Sequence, residues 1–124
     1  MSYDNPMSQS VSVTAATISA AAALFTFSGP VGKRGRVVAL GASITTTTTT
    51  AATELRVGTT ADPDDFATLS VPVGVAGLSY QAAAATLFND DDNLIPADAE
   101  LIIATDGGAD AGAADIHLMV EWFD

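Results

Sequence analysis

Between Ile116 and Trp122 every second residue is large and apolar (Ile116, Leu118, Val120, Trp122), and the residues in between are His117, Met119 and Glu121. A period of two sends successive side chains to opposite faces, so this segment is a strand with one face in a core. On a helix the same row would be scattered around the cylinder. Residues 10–15 repeat the pattern, with Val11, Val13 and Ala15 on one face and Ser10, Ser12 and Thr14 on the other. Half-buried strands need a second layer to cover them, which narrows the fold to packed sheets.

The rest of the chain supplies that layer in short pieces. Residues 24–27 read as a strand closed by Ser28, Gly29, Pro30 and Gly32, and residues 36–44 as a strand in which Gly41 marks a bulge or a close backbone approach. In residues 53–57, Leu55 and Val57 face inward and Glu54 and Arg56 outward. Residues 66–71 and 73–75 are strand-like pieces broken by Pro72, which suits an edge or a bend. Residues 94–96 open another element, and 100–105 form a strand. Six consecutive threonines, 45–50, disfavour helix because β-branched side chains lose χ1 freedom there; they suit an edge strand or a connection between strands. Residues 17–23 and 82–88 fit helix or strand. Turn and loop chemistry dominates 58–65, 89–93 and 106–114.

These readings predict an all-β chain: an antiparallel β-sandwich, jelly-roll-like, of about eight short strands in a single domain over residues 10–124. Residues 1–9 are polar, contain Pro6 and show no period, so they are expected as an extended N-terminal arm. No Lys or Arg occurs in the first ten residues, and the apolar stretch 15–27 is interrupted by Thr17, Ser19 and Thr26. Neither a secretory leader nor a membrane span is expected, and the protein reads as soluble.

Charge narrows the partners. Four Lys and Arg face 15 Asp and Glu across 124 residues, a formal charge of -11. Neutralising phosphates takes cations this chain hardly has, so no nucleic acid and no anionic membrane are expected as partners. With 48% hydrophobic residues it is not a disordered acidic chain. The hydrophobic half is rich in small residues, with 24 Ala against 5 Phe, 2 Tyr and 1 Trp, so the core is thin and further burial by self-association is expected.

Catalytic chemistry finds few carriers. There is no Cys, and His117 is the only imidazole, placed mid-strand without a nucleophile signature beside it. Gly-x-Ser-x-Gly, His-Glu-x-x-His, P-loop and dinucleotide patterns are all missing. No enzymatic activity, cofactor or metal is expected. Asp62, Asp64 and Asp65, then Asp90, Asp91 and Asp92, then Asp106 and Asp110 lack calcium-loop spacing and read as solvated turns. Lys33, Arg34 and Arg36 hold three of the four cations and form a docking contact for an acidic partner, an ion pair with the Asp loops of a neighbouring copy, or a solubilising turn.

The stretch Arg34-Gly35-Arg36-Val37-Val38-Ala39-Leu40-Gly41-Ala42, the segment Ala52-Thr53-Glu54-Leu55-Arg56-Val57-Gly58-Thr59 running into Ala61-Asp62-Pro63-Asp64, and the ending from Leu94-Ile95-Pro96-Ala97-Asp98 to Ala104-Thr105-Asp106-Gly107-Gly108 resemble the small β-rich capsid decoration, or cement, proteins of tailed bacteriophages. The likeness covers most of residues 34–123. It implies a homotrimer on the outer surface of the phage head, bound to the major capsid protein and clamping neighbouring capsomers. Contact candidates are Tyr3 and Pro6 in the arm together with Lys33, Arg34 and Arg36. The alternative is a head-fibre base or tail-tip sandwich that binds a host glycan, for which the chain offers only Tyr3, Tyr80 and Trp122 as rings. A cupin-type enzyme would need two or three metal-binding His, and the chain has one.

Overall fold

The computed structural model describes residues 7–82 and 94–123, which form nine strands and no helix. They are β1 (Met7–Thr17), β2 (Ala22–Ser28), β3 (Arg34–Thr49), β4 (Thr53–Gly58), β5 (Ala67–Val71), β6 (Ser79–Gln81), β7 (Leu94–Ile95), β8 (Glu100–Thr105) and β9 (Ala111–Phe123). One sheet has the order β1-β9-β3-β6, with β7 also pairing to β3; the other has the order β2-β8-β4-β5. Every pairing is antiparallel. The chain changes sheet between β1 and β2, β2 and β3, β3 and β4, β5 and β6, β7 and β8, and β8 and β9. The result is an antiparallel sandwich in which each sheet covers the apolar face of the other.

The alternation on β9 is realised in full. Ile116, Leu118, Val120 and Trp122 are buried, while His117 and Met119 face solvent. They meet Leu55 and Val57 of β4, Leu101 and Ile103 of β8, and Val37, Leu40, Ala42 and Ile44 of β3 in one core. Trp122 closes one end of it. A Cβ added to Gly35 would come within 2.5 Å of the Trp122 ring, and one added to Gly29 would collide with the same ring, so the indole lies in a slot that only two glycines leave open. Its Nε1–H donates to Gln9 Oε1 at 2.9 Å, which satisfies the one polar atom of the ring.

Several expectations are corrected. Met7, Ser8 and Gln9, assigned to the arm, belong to β1 and pair with Trp122, Glu121 and Val120, because β9 runs far enough to offer them a ladder. Residues 1–6, with Tyr3 and Pro6, lie outside the described residues. Ala15 is exposed where the alternation placed it inward, and Ala16 is buried instead. The register slips between Val13 and Ala16; Ala15 has a φ of 52°, and its N–H donates to Asp115 Oδ1 at 2.7 Å. A carboxylate on the neighbouring strand thus holds a β-bulge that flips the remaining residues to the other face.

At Gly41 the close-approach reading holds, since a Cβ there would lie 3.1 Å from Gln81 Nε2 and 3.3 Å from the Tyr80 carbonyl oxygen, while the register slips of β3 fall elsewhere, between Val37 and Ala39, Ile44 and Thr46, and Thr46 and Thr49. Residues 73–75 are not a strand: β5 ends at Val71 before Pro72, as an edge strand, and only a single bridge links Gly74 to Thr48. The glycine-rich loop is shorter than expected, since β9 begins at Ala111. Residues 83–88 and the 89–93 loop lie outside the described residues.

Replacing Gly35 with Ala forces the Trp122 ring out of its slot. The expected cost is about 1–3 kcal/mol, the usual range for overpacking a filled core. Urea unfolding followed by tryptophan fluorescence measures it.

Candidate functional site

Of the sequence candidates, Lys33, Arg34 and Arg36 sit at the sandwich end where β2 turns into β3. Arg34 and Arg36 flank the buried Gly35 on β3 and so point together out of the sandwich. They face Phe123 and Glu121 of β9 in register. The Arg34 guanidinium lies 5.6 Å from the centroid of the Phe123 ring, and Arg36 approaches Glu121 at 3.8 Å. Lys33 is half-buried in the preceding turn, where Gly32 N–H donates to Asp98 Oδ1 at 2.9 Å. The cations are therefore interleaved with Glu121, Asp98 and an aromatic ring and do not form an isolated positive spot. Such exposed pairs add little stability.

The carboxylates separate. Asp62, Asp64 and Asp65 occupy the β4–β5 connection, where Thr59 N–H and Asp65 N–H donate to the Asp62 carbonyl and Asp62 N–H donates to Thr59 Oγ1. A hydrogen bond between the Asp62 and Asp64 carboxyls raises the Asp62 pKa above the ordinary aspartate value. Asp106 and Asp110 belong to the β8–β9 connection at the opposite end of the strands, and Asp90, Asp91 and Asp92 lie outside the described residues. Among the described residues no three carboxylate or imidazole groups converge to hold a metal ion.

Asp106 has a structural task. Its Oδ1 accepts from Glu54 N–H at 2.9 Å, Gly108 N–H at 3.0 Å and Thr53 Oγ1 at 3.0 Å. Burial pushes this carboxyl up, but the N–H groups of Glu54 and Gly108, the Thr53 hydroxyl and the Arg56 charge outweigh it and hold the pKa below the ordinary value. Beside it, Thr53 Oγ1 and Thr105 Oγ1 lie 3.0 Å apart, and both approach the Ile18 carbonyl, at 2.9 and 3.2 Å. This buried cluster fixes the β1–β2 connection against the other sheet.

The threonine run acts in the same way. Thr48 is fully buried, with its Oγ1 2.8 Å from the Pro72 carbonyl and from Gly74 N–H, while Thr50 Oγ1 lies 2.6 Å from Asp110 Oδ2. Side-chain hydroxyls tie down two loops that have little regular pairing of their own.

His117 lies on the outer face of the β1 sheet in a hollow of about 230 Å³ shared with Ser10, Ser12, Gln81 and Met119, and no carboxylate lines it. Of the rings proposed for a glycan, Trp122 is buried, Tyr80 is half-buried and Tyr3 lies outside the described residues. Sequence reasoning missed a set of apolar side chains left in solvent: Val31 in the β2–β3 turn, Phe25 on β2, and Val73, Val75 and Leu78 in the β5–β6 connection. Their signal was present, since Pro72, Gly74 and Gly77 interrupt the last three and deny them a strand to be buried on.

No family model matches the chain, and no curated protein matches it. Two solved structures do. A chain in the capsid of Ralstonia phage GP4 superposes with a TM-score of 0.54 at 14% identity, covering 97% of this chain and 84% of that one. A chain in the acidic stable capsid structure of Helicobacter pylori bacteriophage KHP30 gives 0.42 at 15% identity over 95% and 94%. The first likeness is one of fold: the whole sandwich, and not one sheet of it, recurs in a phage capsid chain.

Because the Asp106 pKa is depressed in the folded chain, its contribution is complete above the ordinary aspartate pKa of about 3.9 and is lost as the pH falls through the folded value. Asp106→Asn is expected to be less stable than the parent at neutral pH and to converge with it in acid. Urea midpoints measured between neutral and acidic pH check this, and parallel curves would contradict it.

Proposed function

We propose that this chain is a structural protein of a phage virion: a decoration, or cement, protein that sits as a trimer on the outer surface of the head, binds the major capsid protein and stabilises neighbouring capsomers. The observation that carries the reading is the fold shared over nearly the whole chain with a chain in the Ralstonia phage GP4 capsid. The strand orders β1-β9-β3-β6 and β2-β8-β4-β5, with the chain alternating between sheets, support a jelly-roll wrap. A net charge of -11 suits a surface turned to solvent and away from packaged nucleic acid. The role is one of binding and not of chemistry. Lys33, Arg34 and Arg36 remain the proposed contacts at one end, together with Tyr3 and Pro6 of the arm, and the exposed Val31 stands beside them in the β2–β3 turn. Many weak contacts repeated over a head then add up through avidity.

The glycan-binding alternative is the weaker reading, because Trp122, the largest ring it would use, serves the core. Heads assembled without this chain, and separately intact host cells, are incubated with the purified protein and sedimented. Co-sedimentation with the heads alone is the expected result; recovery with the cells alone contradicts the proposal. Arg34→Glu together with Arg36→Glu is expected to weaken head binding while leaving the unfolding midpoint nearly unchanged.

A further inference from the structure

Exposed edge strands usually carry charge, above all Lys, because an uncharged edge is a template for pairing with another chain. Here the distribution is inverted. The charged residues of the strands lie on β3 (Arg34, Arg36), β4 (Glu54, Arg56), β8 (Glu100) and β9 (Asp115, Glu121), whereas β1, β2, β5 and β6 contain none. Those four are the ends of the two sheet orders; β1 and β2 pack together on one lateral side of the sandwich, and β5 and β6 on the other, where the equally uncharged β7 also pairs with β3. Residues 5–32 and 66–89 are without a single charge in a chain that carries 19.

Both sides also keep apolar groups in water. On the first, Phe25 is 42% exposed and stacks on Phe27, Val13 is half-buried, and β1 keeps an unbroken register from Met7 to Val13 before its bulge. On the second, Val73, Val75 and Leu78 are 53%, 61% and 46% exposed in the β5–β6 connection.

We propose that these two sides are docking surfaces for further copies of this chain, the β1/β2 side of one copy meeting the β5/β6 side of the next. Two copies at -11 each repel wherever acidic surfaces meet, and the edge strands of these sides carry no charged residue of their own; Asp115 of β9 reaches β1 only at the Ala15 bulge, beyond the regular Met7–Val13 stretch. The two sides differ from each other, so the contact is head-to-tail, and such contacts close into a ring when the rotation allows. That the ring holds three copies rests on the function proposed above; the pairing of the two sides does not.

The test measures mass in solution by sedimentation and, in parallel, binding to heads. The parent chain is expected as a ring. Phe25→Glu and Val75→Lys are each expected to run as single copies with unchanged circular dichroism, and their equimolar mixture to reassociate, because in a head-to-tail contact the unaltered β5/β6 side of the first variant meets the unaltered β1/β2 side of the second, and the new Glu can pair with the new Lys at the other contact. Ala23→Glu, exposed on the same edge strand, replaces Phe25→Glu should that variant unfold. A parent that is a single copy, a Val75→Lys variant that keeps the parent mass, or a mixture that stays dissociated overturns the proposal. A single-copy parent that still binds heads, and loses them on Phe25→Glu, assigns the β1/β2 side to the capsid protein; that overturns this inference and leaves the proposed function standing. A ring that binds no heads does the reverse.

Discussion

Trp122 in the slot between Gly29 and Gly35 is the contact on which the arrangement of this sandwich depends most. Its ring touches the β2–β3 turn and the first residues of β3, its Nε1–H reaches Gln9 on β1, and its backbone belongs to β9, which pairs with both β1 and β3. One side chain thus sets how the two sheets meet at this end and where the pair Arg34 and Arg36 emerges. Truncating a buried aromatic of this size typically costs about 3–5 kcal/mol.

The opposite end is closed by polar means. Thr53, Thr105 and Asp106 gather the Ile18 carbonyl and the start of the β8–β9 connection, and Thr48 and Thr50 hold the β5–β6 and β8–β9 connections. A hydroxyl on a stiff β-branched side chain loses little rotamer freedom when it bonds a neighbouring carbonyl, which explains why threonine suits this task.

Much of the fold was legible in the sequence. The period-two rows on β4 and β9 placed Leu55, Val57, Ile116, Leu118, Val120 and Trp122 in the core, and Pro72 marked the end of an edge strand. What escaped was non-local. The bulge at Ala15 is held by Asp115, a hundred residues away, and the pairing of Met7, Ser8 and Gln9 depends on how far β9 extends. The candidate site was legible only in composition: Lys33, Arg34 and Arg36 stood out as cations, but their interleaving with Glu121, Asp98 and Phe123 is a matter of register. The bare edges became visible only once strand order showed which segments end the sheets.

In the arrangement proposed above, an acidic body with charge on its central strands and none on its edge strands turns its faces to water, its sides to its own kind and the end that carries Arg34 and Arg36 to the capsid protein. Under the proposed function, those contacts are made on a phage head. Imaging heads from particles made with and without this chain tests the central claim most directly. The account predicts difference density on the outer surface that fits rings of this sandwich with their lateral sides in mutual contact. Heads identical in the two reconstructions, or extra density confined to the tail, would contradict it.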